Sequence, residues 1–93
     1  MPKHILQTVS TSAQVGITGA RNLKHVTIGA HTANATALFY NSADDSGTLL
    51  LSLSALANRP LEVDLCEVGG LEFPTAMYCK IAGTAAIVYV WYE

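Results

Sequence analysis

The chain has 93 residues, of which 51% are hydrophobic and 13% are charged, and its formal net charge is −2. Soluble domains average about 25% charged residues, so some apolar surface of this single small domain is expected to be covered by a partner. A nucleic-acid partner is not expected, because phosphate binding needs clustered basic residues. The five basic residues are scattered: Lys3, Arg21, Lys24, Arg59 and Lys80.

Neither a targeting segment nor a disulfide is predicted. No stretch approaches the roughly 18 to 20 apolar residues of a membrane helix, so no membrane partner is expected. Residues 1–7 lack the apolar region of a signal peptide, and the product is expected to stay in the cytoplasm that makes it. Cys66 and Cys79 fall on different faces of their predicted strands, so both are expected to be free thiols, as in a reducing compartment.

The N-terminal half alternates between extended segments and polar turns. Residues 1–12 are predicted to form an N-terminal arm or first strand, and residues 13–93 the β-sandwich domain. Within the sandwich, residues 23–30 are typical of a half-buried strand. Its inward side chains are expected to be Val26 and Ile28.

The middle of the chain carries the clearest turn signal, at residues 41–47. Asx and Ser side chains there can bond their own backbone, and Gly47 is free to take a positive φ. The strand that follows has leucine at every position of one face: Leu49, Leu51 and Leu53. Residues 61–66 then alternate apolar and polar side chains strictly, which predicts a strand of well-defined register.

The C-terminal stretch, residues 84–93, is rich in the β-branched and aromatic residues typical of strands. Both of its faces are apolar: Ile87, Tyr89 and Trp91 lie on one, and Val88, Val90 and Tyr92 on the other. A strand of this kind has to be covered on both sides. In so short a chain the second cover is expected to come from another molecule.

About seven to nine short segments with regular turn signals, and none with a sustained helical period, predict an all-β fold. The expected architecture is a single-domain antiparallel β-sandwich or jelly roll of about eight short strands.

No catalytic, cofactor or metal site is predicted. Asp44 and Asp45 could supply oxygen ligands to calcium, but the spacing of a calcium loop and its distal Glu are absent, so a plain turn is expected. Cys66 is the only thiol available as a nucleophile, yet Asp64 and Glu67 beside it would raise its pKa. An enzyme is therefore not expected.

Aromatic residues near the C-terminus are the main candidates for a binding surface. They could form a flat platform that stacks on sugar rings, but their clustering in the last strand favours core or subunit-interface positions. With two residues of the N-terminal segment, the predicted interface comprises Ile5, Leu6, Tyr78, Tyr89, Trp91 and Tyr92.

A further pattern lies within residues 22–93 and is carried by residues 26–29 and 35–40, by Gly47-Thr48-Leu49 at the start of the leucine strand, and by residues 69–73 and 83–92. In this pattern the chain resembles a group of small β-sandwich proteins encoded among bacteriophage structural genes, namely head decoration (cement) proteins and related minor virion components. In place of the usual Thr-Gly-Leu tract after the short strand, this chain has Pro74-Thr75-Ala76-Met77.

The resemblance implies a jelly-roll structural protein on the outer capsid surface of a virion. Such proteins assemble with themselves, often as trimers, over junctions between subunits of the major capsid protein and clamp the shell. Residues 1–12 would suit strand addition to a neighbour.

Two other classes stay open. A lectin-like or receptor-binding module of a tail or fibre predicts that Trp91 or Tyr92 is exposed and that glycans bind. An enzyme predicts a concave pocket containing a group of shifted pKa.

Overall fold

The computed structural model describes residues 5–16, 19–29, 34–66, 69–83 and 86–93. The described residues contain strands and no α-helix, which confirms the predicted all-β class. The strands are β1 (Ile5–Val9), β2 (Ala13–Val15), β3 (Arg21–Ile28), β4 (Ala35–Asn41), β5 (Thr48–Ala55), β6 (Leu61–Asp64), β7 (Leu71–Phe73), β8 (Met77–Ala82) and β9 (Val88–Tyr92).

The strands form two antiparallel sheets around one core. The first sheet has the order β1-β9-β3-β6, and β7 also pairs with β3. The second sheet has the order β2-β8-β4-β5. The chain is thus a single β-sandwich-like domain.

The pairing is nested about the turn between β4 and β5. β4 pairs with β5, β3 with β6, β2 with β8 and β1 with β9, so strands of the first half pair with strands of the second half in reverse order. Residues 5–9, which belong to the predicted arm or first strand, therefore pair with β9 of their own chain. The turn between β4 and β5 is therefore the centre of this nested pairing pattern.

That central turn confirms the turn predicted at residues 41–47. The Asp44 carboxylate accepts hydrogen bonds from the hydroxyl and the backbone N–H of Ser46, and these bonds lower the pKa of Asp44. Gly47 is free to take a positive φ but does not have one in the structure. Glycine is required there by close approach instead, since a Cβ atom would lie 2.7 Å from the carbonyl oxygen of Asn41.

The core contains the apolar faces of strands from both sheets. Val26 and Ile28 are fully buried, as the alternation in β3 predicts. Phe39 on β4 and Phe73 on β7 meet across the two sheets with their rings edge to face, 6.5 Å apart between centroids. One face of β9 also belongs to this core: Val88, Val90 and Tyr92.

The leucine strand departs from its predicted single leucine face. The register between β4 and β5 shifts so that Phe39 lies opposite Leu51 while Tyr40 lies opposite Leu49. This β-bulge takes Leu49 off the buried face, and its side chain is 45% exposed. Leu51 and Leu53 keep their contact with the core but are only half-buried.

The strand predicted at residues 61–66 ends at Asp64 in the structure. The Asp64 carboxylate accepts a hydrogen bond from the backbone N–H of Cys66, which turns the chain locally, and Gly69 and Gly70 both have positive φ. The backbone N–H of Leu65 donates a hydrogen bond to the carbonyl oxygen of Lys24, so the chain runs alongside β3 up to that turn.

Candidate functional site

The outward side chains of the first sheet form a continuous surface, called here the outer face. Cross-strand pairing of β1, β9, β3 and β6 places these side chains in two parallel rows. The first row is Leu6, Trp91, His25 and Asp64, and the second is Thr8, Tyr89, Thr27 and Glu62. Each row runs from apolar or hydroxyl groups at the β1 edge to a carboxylate at the β6 edge.

His25 occupies the centre of this surface and contacts both the aromatic and the acidic side. Its ring meets Trp91 edge to face, with 4.9 Å between centroids and an interplanar angle of 83°. Nε2 of His25 lies 3.3 Å from the Thr27 hydroxyl and 3.7 Å from a Glu62 carboxylate oxygen, and Nδ1 lies 4.0 Å from an oxygen of Asp64. The two carboxylates are largely exposed, so these contacts orient the ring more than they stabilise the fold.

A shallow depression of about 290 Å³ opens beside the ring of Trp91. The described residues that line it are His25, Asp64, Cys66 and Trp91. The backbone N–H of Cys66 donates to Asp64 at 2.9 Å, and this bond lowers the pKa of the Asp64 carboxyl. The depression therefore offers an ionised carboxylate next to an aromatic ring.

The thiol in this depression is poorly suited to nucleophilic chemistry. Desolvation raises the pKa of Cys66, and the neighbouring Asp64 carboxylate raises it further. Within the described ranges, no group of three or more His, Cys, Asp and Glu side chains is arranged to hold a metal ion. The surface is suited to contact and hydrogen bonding.

The two cysteines should differ sharply in labelling by a thiol reagent such as Ellman's reagent. Both are free; Cys66 is exposed, whereas burial raises the pKa of the fully buried Cys79 to about 12. We expect one thiol to react in the folded protein and two after unfolding, with Cys66→Ser leaving none that reacts in the folded state. Labelling of Cys66 should accelerate with rising pH and in Asp64→Asn, because that substitution removes a cause of the raised pKa. Rapid labelling of Cys79 without unfolding would contradict this assignment.

The structure brings together only part of the predicted interface. Leu6, Tyr89 and Trp91 share the outer face, where Leu6 is 51% exposed and the two aromatic side chains are half-buried. Ile5 lies at the exposed start of β1. Tyr78 lies on the second sheet, opposite Tyr40. Tyr92 lies in the core and is 6% exposed, so its own chain covers it.

Sequence reasoning did not find the contribution of His25, Glu62 and Asp64 to this surface. Their outward positions follow from strand alternation. Their proximity to Trp91 does not, because it depends on β3 pairing with both β9 and β6. The sequence alone did not indicate which strands pair with β3.

Among the described residues, the structure contains no helix long and apolar enough to cross a membrane. The chain matches no family model, no curated protein and no solved structure.

Proposed function

We propose that this chain is a non-enzymatic structural subunit of a bacteriophage particle. In this role it binds the outside of the capsid shell as a decoration (cement) protein and stabilises contacts between major capsid subunits. Its site is the outer face of the first sheet.

The observation that carries the proposal is the apolar part of the outer face. Leu6 is half-exposed, and Tyr89 and Trp91 are incompletely buried although they lie on a strand paired on both edges. Aromatic side chains that are partly exposed at the centre of a rigid surface are common anchors of protein interfaces. A flat sheet face is also a good support for such a contact, because strand pairing holds its side chains in place.

The strand order supports a jelly roll as the finer description of the fold. The nested pairing about the β4–β5 turn yields two four-stranded sheets, β1-β9-β3-β6 and β2-β8-β4-β5, with β7 as an addition. Jelly rolls of eight strands are used in viral capsid proteins and in lectins. The topology is therefore compatible with a virion component, although a fold by itself does not assign a function.

The proposal names two partners and a location. The subunit associates with itself, for which the resemblance favours a trimer, and it binds the major capsid protein on the outer surface of the virion. It is made in the host cytoplasm.

Co-sedimentation tests the capsid role directly. The purified protein is mixed with shells assembled from the major capsid protein encoded in the same genome, and the mixture is pelleted. We expect the protein to pellet with the shells at a saturating ratio, to stay in the supernatant alone, and to raise the temperature at which the shells disrupt. A protein that stays in the supernatant with intact shells would contradict the proposal.

The depression beside Trp91 favours a second candidate, a glycan-binding module of a tail or fibre. A sugar ring could stack on the exposed part of an aromatic ring while its hydroxyls donate to a carboxylate, and Trp91 and Asp64 line the same depression. An array of neutral glycans distinguishes the two functions. Binding that Asp64→Ala and Trp91→Ala both abolish would support this candidate, and the absence of any glycan signal would remove it.

A further inference from the structure

Two carboxylates of β6 give the outer face a negative charge close to Trp91. The side chains of Glu62 and Asp64 are largely exposed, and Asp64 lines the depression beside the Trp91 ring. The hydrogen bond from the backbone N–H of Cys66 lowers the pKa of Asp64, so this carboxylate is ionised at neutral pH. The depression therefore places a fixed negative charge near an aromatic ring.

The basic side chains of β3 on this part of the sheet, Lys24 and His25, do not neutralise both carboxylates. Nζ of Lys24 donates to the carbonyl oxygen of Gly69 at 3.0 Å and lies 3.8 Å from a carboxylate oxygen of Glu93. His25 lies between the two β6 carboxylates, 3.7 Å and 4.0 Å from them, and these distances exceed those of a hydrogen bond. A protonated imidazole has a single positive charge, so at least one β6 carboxylate stays unbalanced in either protonation state of His25.

The spacing of ring and carboxylate matches a long cationic side chain. Trp91 and Asp64 lie on β9 and β6 with β3 between them, and two strand spacings amount to about 9 to 10 Å. An arginine side chain has an aliphatic stem that packs on apolar surface and a planar guanidinium that binds a carboxylate through two parallel hydrogen bonds. A tryptophan ring also attracts a cation close to its face. Arginine therefore fits both ends of the depression.

We propose that the depression beside Trp91 binds an arginine side chain of a protein partner. The guanidinium pairs with the Asp64 carboxylate, whose oxygens can each accept a second hydrogen bond, and the aliphatic stem packs against Trp91. This inference rests on the proposed function, because it specifies the chemistry by which the outer face recognises the major capsid protein.

Charge and size favour a guanidinium over a neutral sugar in this depression. A sugar hydroxyl gains a short-range hydrogen bond to Asp64, whereas a cation is also attracted by Glu62 on the neighbouring row. The volume of about 290 Å³ is at the lower limit of ligand pockets, which measure about 300 to 1,000 Å³. It is therefore suited to one side chain of a partner and not to an extended glycan.

NMR titration with N-acetylarginine amide tests the site. Trp91 is the only tryptophan of the chain, so its indole N–H gives a single signal that reports on the depression. We expect this signal to shift with a Kd on the order of 1 mM, and N-acetylcitrulline amide to bind at least about tenfold more weakly, because citrulline has the shape of arginine without its charge. Equal responses to both amides, a response to neither, or a larger response to galactose would overturn the inference.

A pair of charge-removing variants tests the role of Asp64. Asp64→Asn keeps an oxygen that accepts the hydrogen bond from Cys66, so the turn is retained, and it should weaken binding of the arginine amide by at least about tenfold. Glu72→Gln is the matched control, because Glu72 is an exposed carboxylate of β7 in the same sheet and its loss changes the net charge equally. Its Kd should change by less than about twofold. Equal weakening by both variants, or by neither, would overturn the assignment to Asp64.

The same variants separate this inference from the proposed function. In co-sedimentation we expect Asp64→Asn, and not Glu72→Gln, to weaken binding to capsid shells. Shell binding that Asp64→Asn leaves unchanged would overturn the arginine contact and leave the capsid role standing. A protein that binds the arginine amide through Asp64 but binds no shells would support the site and contradict the capsid role.

Discussion

Replacing Phe39 by alanine is expected to lower the free energy of unfolding by about 3 to 5 kcal/mol. The Phe39 side chain is fully buried on β4, in the second sheet, and its ring packs edge to face against Phe73 of β7, in the first sheet. Truncation would remove a contact between the two sheets and leave a cavity between them. Urea unfolding followed by circular dichroism measures the change.

Leu56→Ala is the control for this experiment. Leu56 is also a large apolar residue but is 60% exposed, so its truncation should change the free energy of unfolding by no more than about 0.5 kcal/mol. If Phe39→Ala proved as mild as Leu56→Ala, the two sheets would not share the core described above.

Replacing Trp91 by alanine is expected to weaken binding to capsid shells by more than about 2 kcal/mol, which is about 30-fold in Kd. Trp91 lies between Leu6 and His25 in the first row of the outer face, and the edge-to-face contact with His25 holds its ring. A large aromatic side chain that is already ordered loses little conformational entropy on binding. Titrated co-sedimentation with shells gives the Kd of each variant.

Tyr78→Ala supplies the matched comparison, because Tyr78 is a half-buried aromatic residue on the opposite sheet. If the outer face of the first sheet meets the shell, Trp91→Ala should weaken binding and Tyr78→Ala should not. Unfolding curves for both variants exclude loss of fold as the cause. The reverse pattern would assign the contact to the second sheet, and unchanged binding by two folded variants would contradict an aromatic anchor on either face.

Much of the local structure could be predicted because strand alternation is a property of neighbouring residues. The burial of Val26 and Ile28 followed from a period of two. The turn at residues 41–47 followed from Asx and Ser side chains that bond their own backbone, as Asp44 does with Ser46. The strand order could not be predicted in the same way, because many alternating segments are compatible with many partners.

The sequence by itself determined the all-β class, the faces of most strands and the central turn, since these depend on side chains close together in the chain. For β9, which is apolar on both faces, tertiary structure alone decided which face became surface. Tyr92 and Trp91 are adjacent in β9, yet Tyr92 enters the core and Trp91 joins the outer face. His25 and Asp64 reach Trp91 only through strands distant in the chain, because sheet pairing is a long-range interaction that local alternation does not specify.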